Sequence, residues 1–560
     1  MIGVIADPSE HEVVREFFEL FKTPWEYYQT DRTYSVVVVA SDGDFDLSAE
    51  LVVLYGGRKT SLDVKHAIGA KQRDEHGGAF RFDGRRLPLY GETATFEEKG
   101  SCLVRDAFSD ECGAFLQHKE GGALARIGYD LFKEVLVLLT DGQPIANAAE
   151  PTLELHIAIL RETIARSGIA LVEIPPVPYG FQFIACLTHD VDHPSIRAHK
   201  WDHTAWGFIY RAIFGSVTRL VRGEMSLQRF VANWLAVAKL PFVYMGLASD
   251  FWGQFDDCYL QIEGELPSTF FVIPRKKYPG RTTGGSAPAF RATGYAAQDI
   301  AGTLQKLIRH GREVGLHGID AWLNSEDGTR ELAEVGRVTG TRDIGVRMHW
   351  LYFNRESPAA LEKAGAAYDS TSGYNATVGY RAGTTQAFRP MGATRLLELP
   401  LHAMDTAIFY PAHLGLSSRD AREVLLQLVE NAGHYGGVLT INWHDRSLAP
   451  ERQWDSSYRD LMEMMKSRGA WFATAGQAVS WFRKRRSVVF EREEIEPSGV
   501  RAKIAGYFGE NIPGLRLRTH QAESAATTVV RTRPSYSDIR VDENIDAGIS
   551  RPTAQLEARP

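Results

Sequence analysis

The sequence predicts an α/β fold: a parallel sheet closed into a barrel, preceded by a separate α/β domain. Three observations carry this. From Phe181 onward, apolar runs (FQFIACLTHD, STFFVIP, GREVGLHG, IGVRMHW, TRLLELP, GGVLTINWHD, AWFATAG) alternate with stretches of helical periodicity, which is the rhythm of βα units. Several of those runs end in Asp or His, and a barrel gathers its C-terminal strand ends on one face. Residues 1–178 mix strand-like SVVVVA, LVVLYGG and VLVLLT with helix-like HIAILRETIARSG, and close on the stiff linker PPVPYG.

These signals divide the 560 residues into an N-terminal α/β domain (1–178), a barrel (179–486), a small β appendage (487–545) and a tail (546–560). The appendage is read from the alternating SVVFEREEIE and PGLRLRTH. The N-terminal domain shows no nucleotide loop and no catalytic triad signature. Within the barrel, QDIAGTLQKLIRHG sets Ile300, Leu304, Leu307 and Ile308 on one face, with Gly311 at the C-cap. ESPAALEKAG reads as a helix with Ser357 as N-cap, Pro358 in the first turn and Gly365 as stop. Ser417 and Asp420 have capping-box spacing ahead of a further helix.

A helical insertion, 199–265, separates the first two barrel runs and is rich in Trp, Phe and Arg. It reads either as a helical subdomain packed on the barrel or, over 203–262, as a peripheral contact with a membrane or a lipid-linked substrate. Its apolar stretch from Phe230 to Ser249 is interrupted by Lys239 and Pro241, so no spanning helix is expected. A net charge of −7 without a basic stripe argues against nucleic acid. Four scattered cysteines (Cys102, Cys112, Cys186, Cys258) and an N-terminus without a secretory pattern suit a reducing, cytoplasmic setting, with the membrane surface within reach of the insertion.

The polar residues concentrate at the strand ends. Asp190 and Asp192 end the first run; i and i+2 of an extended strand point the same way, so both carboxylates face one site. His317 ends GREVGLH, His349 ends IGVRMH, and His444 with Asp445 ends GVLTINWHD. Carboxylate plus imidazole is a ligand set for zinc or a similar divalent ion. The remaining carboxylate and a distant histidine supply a base for a water and an acid for a leaving group. His189 and His193 are read as groups that tune this cluster from outside the ligand set.

The ordered set THDVD, STFFVIP, HGREVGLHG, VRMHW and INWHD resembles the polysaccharide deacetylases with the NodB homology fold, in a divergent THDVD form, over about residues 181–485. The resemblance implies a distorted (β/α) barrel and metal-dependent removal of N-acetyl groups from amino sugars of a polysaccharide or glycolipid. It implies Asp190 as base, Asp192 and His317 as metal ligands, Arg347 as the residue orienting the base, and His444 as general acid; the expected cofactor is a divalent metal, Zn2+ first. One departure matters. The family pattern places a second histidine four residues after the first, whereas His317 is followed by Gly318, Ile319, Asp320, Ala321 and Trp322. His349 is the expected third ligand, with Asp320 as its rival, and Arg381 in GYRAG is a rival for Arg347. The broken histidine pair also leaves open a metal-poor relative that binds glycans without cleaving them, and an enzyme acting on another acylated amino sugar on a lipid carrier.

Overall fold

The structure is a computed structural model; it describes residues 1–73, 77–200, 202–223, 225–492, 500–504, 512–521 and 536–541. The chain divides into two compact units, one of residues 1–143, 150–180 and 480–560, the other of 144–149 and 181–479.

The first unit is built on an 11-stranded mixed sheet. Trp25–Tyr27, Ile2–Ile5, Tyr34–Val39, Ala49–Tyr55 and Gly122–Ile127 run parallel, and the sheet then continues antiparallel through Cys112–Lys119 and Ser101–Asp106. VLVLLT, expected as a strand, is instead the end of a helix, Leu131–Thr140. Asp130 caps that helix by accepting from the Lys133 N–H, and Leu131, Val135, Leu138 and Leu139 fall on one buried face, a 3.6-residue period that the apolar run had hidden. Beyond the second unit the chain supplies two more pieces to the first. Leu515–His520 lies antiparallel to Leu171–Glu173 and to Tyr536–Val541, and Val488–Arg492 pairs with Val500–Ile504. The tail expected at 546–560 lies outside the described residues.

The second unit holds a seven-stranded, all-parallel sheet: β1 (Phe183–Val191), β2 (Ser268–Val272), β3 (Glu313–Gly318), β4 (Val346–Met348), β5 (Ala403–Met404), β6 (Val438–Asn442) and β7 (Ala470–Phe472). The order is β4-β3-β2-β1-β6-β5, with β7 also paired to β1. β1 is central: Leu187–Val191 lies against β2, Ile184–Thr188 against β6 and Phe183–Ala185 against β7. All nine of its residues are buried, as expected of a parallel strand covered on both faces.

This sheet curves as a half-barrel. Past β4 the arc runs through isolated bridges, Val346 to Asp369 and Asp369 to Glu398. TRLLELP, expected as a full strand, contributes only there. Its Thr394, Arg395 and Leu396 N–H groups donate to the Glu362 carboxylate at 2.9, 2.6 and 2.8 Å, so a side chain replaces the ladder. Another expectation is adjusted nearby. The helix Ser357–Ala364 starts as predicted and stops at Gly365 (φ 91°), but its N-cap is Glu356. The Asn354 side chain accepts from the Glu356 and Ser357 N–H groups, while Ser357 Oγ donates to the Trp322 carbonyl at 2.8 Å. Ser417 caps the helix Ser418–Tyr435 by accepting from the Asp420 N–H.

The insertion is helical. α1 (His203–Tyr210) runs through a π turn, Arg211–Gly215, into α2 (Ser216–Val221); α3 (Leu227–Tyr244) and α4 (Phe255–Glu263) follow. Among the described residues no helix is long and apolar enough to cross a membrane.

Candidate metal centre

The C-terminal ends of the parallel strands converge, and the polar residues of the sequence motifs converge with them. β1 carries Asp190 as its penultimate residue, and Asp192 follows the strand; β3 carries His317; His349 follows β4; His444 follows β6 by two residues. The alternation along β1 sends His189 to the opposite side. There it hydrogen-bonds the Trp443 carbonyl and Glu263, each at 2.8 Å, and packs against Tyr259 and Phe270. It belongs to the buried support under the site.

Three donor atoms meet at one point. Asp192 Oδ1 lies 3.5 Å from His317 Nε2 and 3.4 Å from His349 Nδ1, and the two nitrogens are 3.1 Å apart. The outer nitrogen of each ring fixes its tautomer. His317 Nδ1 faces the Arg347 carbonyl at 3.0 Å, and His349 Nε2 faces the Arg291 carbonyl at 3.2 Å. A carbonyl oxygen only accepts, so those nitrogens carry the hydrogens, and in the neutral rings the inner nitrogens present lone pairs. Two imidazole lone pairs and a carboxylate oxygen therefore face each other, and Asp192 Oδ1 is buried without a hydrogen-bond partner. Such a set repels itself until a cation sits between its members. Asp192, His317 and His349 thus fit a divalent ion, with backbone carbonyls behind both histidines in the usual supporting role. Burial opposes the Asp192 charge, yet with the facing rings protonated and no ion between them, His349, His317 and His444 hold its carboxyl well below the usual carboxylate range. Burial holds the His349 imidazole below its ordinary pKa, against the pull of Asp192.

Asp320 is not in this group. Its carboxylate accepts from Tyr278 Oη at 2.6 Å and from the Arg281 N–H and Nε at 2.8 and 3.1 Å. His349 is delivered instead by a tight turn: the next two residues, Trp350 and Leu351, take left-handed φ values of 65° and 54°, a cost of order 1–3 kcal/mol per residue for side chains of this size. Arg291, buried, donates to the His349 carbonyl at 2.8 Å while its own carbonyl faces the ring, so one residue grips His349 at both ends.

Beside the three donors, Asp190 is held in its own cage. Arg347 Nη1 donates to Asp190 Oδ1 at 3.1 Å and to Thr188 Oγ1 at 2.6 Å, and Asn442 Nδ2 donates to Asp190 Oδ2 at 2.8 Å. Arg347 is itself fixed by Ser370 and lies over the Phe271 ring. Arg381 is elsewhere, donating to the Gly373 carbonyl and stacking on Phe353. His444 Nδ1 is 2.6 Å from Asp405 Oδ1, and the His444 N–H donates to Asp405 Oδ2 at 2.8 Å. Its Nε2 lies 3.8 Å from Asp192 Oδ2. Burial works against a charged His444 imidazole, but Asp405, with Asp192 and Asp190 behind it, pushes its pKa up to about 10. His193 adds no ligand; its Nδ1 pairs with His199 Nε2 at 3.1 Å, and its N–H donates to Asp445.

The solved structures this chain resembles include proteins named as polysaccharide and peptidoglycan deacetylases and one named as a CE4 family pseudoenzyme from Bacillus anthracis. One is named as a polysaccharide deacetylase from Mycobacterium smegmatis (16% identity, 56% of this chain and 95% of that one, TM-score 0.33). Another is named likewise from Pseudomonas aeruginosa (13%, 56% and 94%, TM-score 0.32), and a third is the peptidoglycan deacetylase PdaC of Bacillus subtilis (12%, 56% and 95%, TM-score 0.25). No family model and no curated protein matches the chain.

The donors open into a cavity of about 530 Å³ whose lining includes Asp190, Asp192 and His444, an aromatic wall of Phe290, Trp350 and Tyr410, and the cationic Arg446 and Arg452. That is within the size range of small-ligand sites.

The structure adds residues that the motifs did not point to. Asn442 was within reach, since it lies two residues before His444 on the same run. Asp405 carried no local signal, because it is brought in from 39 positions away. Glu331 is the same kind of case: buried on a helix, it accepts from the Ile319 and Asp320 N–H groups at 2.8 and 2.9 Å and so fixes the turn leaving His317. Glu331→Ala leaves two buried donors unsatisfied at ~1–3 kcal/mol each. Urea unfolding is expected to show a loss of roughly 2 kcal/mol or more at unchanged m-value; no loss would mean those N–H groups find other partners.

Proposed function

We propose that this chain is a metal-dependent hydrolase that removes N-acetyl groups from the amino sugars of a polysaccharide or glycolipid. The observation that supports it best is the meeting of three lone pairs, from Asp192, His317 and His349, between a caged carboxylate and a carboxylate-backed histidine. A divalent ion held by those three residues, zinc being the natural choice for an N2O set, would polarise the acetamide carbonyl and acidify a water.

The protein groups then do the proton work. Asp190 accepts a proton from the water as the water oxygen attacks the acetamide carbon; Arg347 and Asn442 keep the carboxylate aimed. His444, kept protonated by Asp405, donates from Nε2 to the nitrogen as the C–N bond breaks. The products are acetate and a free amino sugar. Phe290, Trp350 and Tyr410 offer the faces on which a sugar ring packs.

Acetate release from a panel of N-acetylated sugars by the zinc-loaded protein tests this reading. Release that a chelator abolishes and zinc restores supports it; glycan binding with no acetate from any member of the panel sinks it in favour of a binding protein. Asp405→Asn tests the acid. Activity is lost as pH rises through the His444 pKa, because the acid form disappears; removing the Asp405 charge lowers that pKa, so the alkaline limb of kcat is expected to move to lower pH. An unmoved limb would assign it to another group.

A further inference from the structure

We propose that the insertion between β1 and β2 is a docking element that seats on an anionic lipid bilayer, independently of what the metal centre does. Of the 22 large hydrophobic side chains exposed among the described residues, 12 lie between Trp206 and Leu247. They form stripes. Along α1, the π turn and α2, Trp206, Tyr210, Phe214, Val217 and Val221 follow one another at helical spacing, with Val221 82% exposed. Along α3, Leu227, Val231, Trp234, Leu235, Phe242 and Met245 share a second outward face.

The opposite side of α3 is already satisfied. Ala236, Leu240 and Val243 pack with Ile196, Phe208 and Trp252 in the insertion's own core. α3 is therefore apolar on two sides, and only one is covered. An exposed apolar surface of this kind marks an interaction site.

Charge says what the partner is. Between Asp202 and Asp250 the chain carries Arg211, Arg219, Arg222, Arg229 and Lys239 against Glu224; Arg229 pairs with Asp455 and Arg219 donates to the Arg452 carbonyl, which leaves Arg222 and Lys239 as the exposed cations beside the stripes. Lys239 is exposed at the border of the α3 stripe, and Arg222 is exposed at the end of α2. Apolar stripe, bordering cations, and Trp and Tyr among the outward residues together describe a helix pair lying in the headgroup region of an anionic leaflet. Among the described residues no helix is long and apolar enough to span, so the proposed contact is peripheral.

Flotation of the full chain with phosphatidylcholine vesicles, with and without phosphatidylglycerol, tests this. The protein is expected to float with the anionic vesicles, less at high salt, and Trp234→Glu combined with Leu235→Glu is expected to cut the bound fraction roughly tenfold. Both residues are exposed and neither lines the cavity at the metal centre, so acetate release from a water-soluble N-acetylated sugar is expected to be unchanged, which keeps this result separate from the reading of the active site. Equal flotation of the variant and the parent would overturn the proposal. So would a parent that does not float, or one that sediments as a dimer the double variant abolishes, since the face would then be covered by a second copy.

Discussion

Asp190→Asn is expected to abolish acetate release, by a factor of ~10²–10⁴ for loss of a general base, while the protein keeps its metal. The two parts of that result come from different contacts. Asp190 is held by Arg347, Asn442 and, through its backbone N–H, Asn442 Oδ1, so an amide of the same shape keeps the backbone bond and one side-chain bond, turns its NH2 against the other donor, and leaves the three metal donors untouched. The atom that joins His317 and His349 belongs to Asp192. Bound zinc measured alongside acetate separates the roles: if Asp190→Asn empties the site and Asp192→Asn does not, base and ligand are exchanged.

The second large effect is on metal content. His349→Ala is expected to leave the protein without stoichiometric zinc and without activity, since the remaining Asp192 and His317 make two ligands where a zinc site takes three from the protein. Asp320→Ala is expected to keep zinc. Its carboxylate is spent on Tyr278 and Arg281, so its loss loosens a turn. Zinc retained by His349→Ala and lost from Asp320→Ala would put the third ligand back in the motif that follows His317.

Much of this site could be read in the sequence because it is built from strand ends. Alternation along one strand was enough to pair Asp190 with Asp192; His189, read as a group tuning the cluster, instead turns to the opposite side, onto the Trp443 carbonyl and Glu263. Chain order brought His317, His349 and His444 to the same rim, since parallel strands share their C-terminal ends. What stayed hidden depends on contacts across long sequence distances. Asp405 reaches His444 from the end of β5, and Arg291 grips His349 from a loop 58 positions earlier. Neither lies in a pattern of its own.

The fold shows the same division. FQFIACLTHD and GGVLTINWHD appear as β1 and β6, because a covered parallel strand has to be apolar throughout. VLVLLT is just as apolar and became a helix: a run of six cannot distinguish period 2 from period 3.6, and the cap at Asp130 decides. TRLLELP lost its ladder to one glutamate, Glu362, lying more than 30 residues away in sequence. The insertion was readable as helical and aromatic, but whether its aromatic residues faced inward or outward was a matter of packing.

The most direct measurement is an anomalous-scattering map at the zinc edge from crystals of the zinc-loaded protein. The account predicts one strong peak, ~2.0–2.2 Å from Asp192 Oδ1, His317 Nε2 and His349 Nδ1, with Asp190 and His444 on opposite sides and outside bonding distance. An empty centre, or a peak bound by Asp320 with His349 turned away, would contradict it.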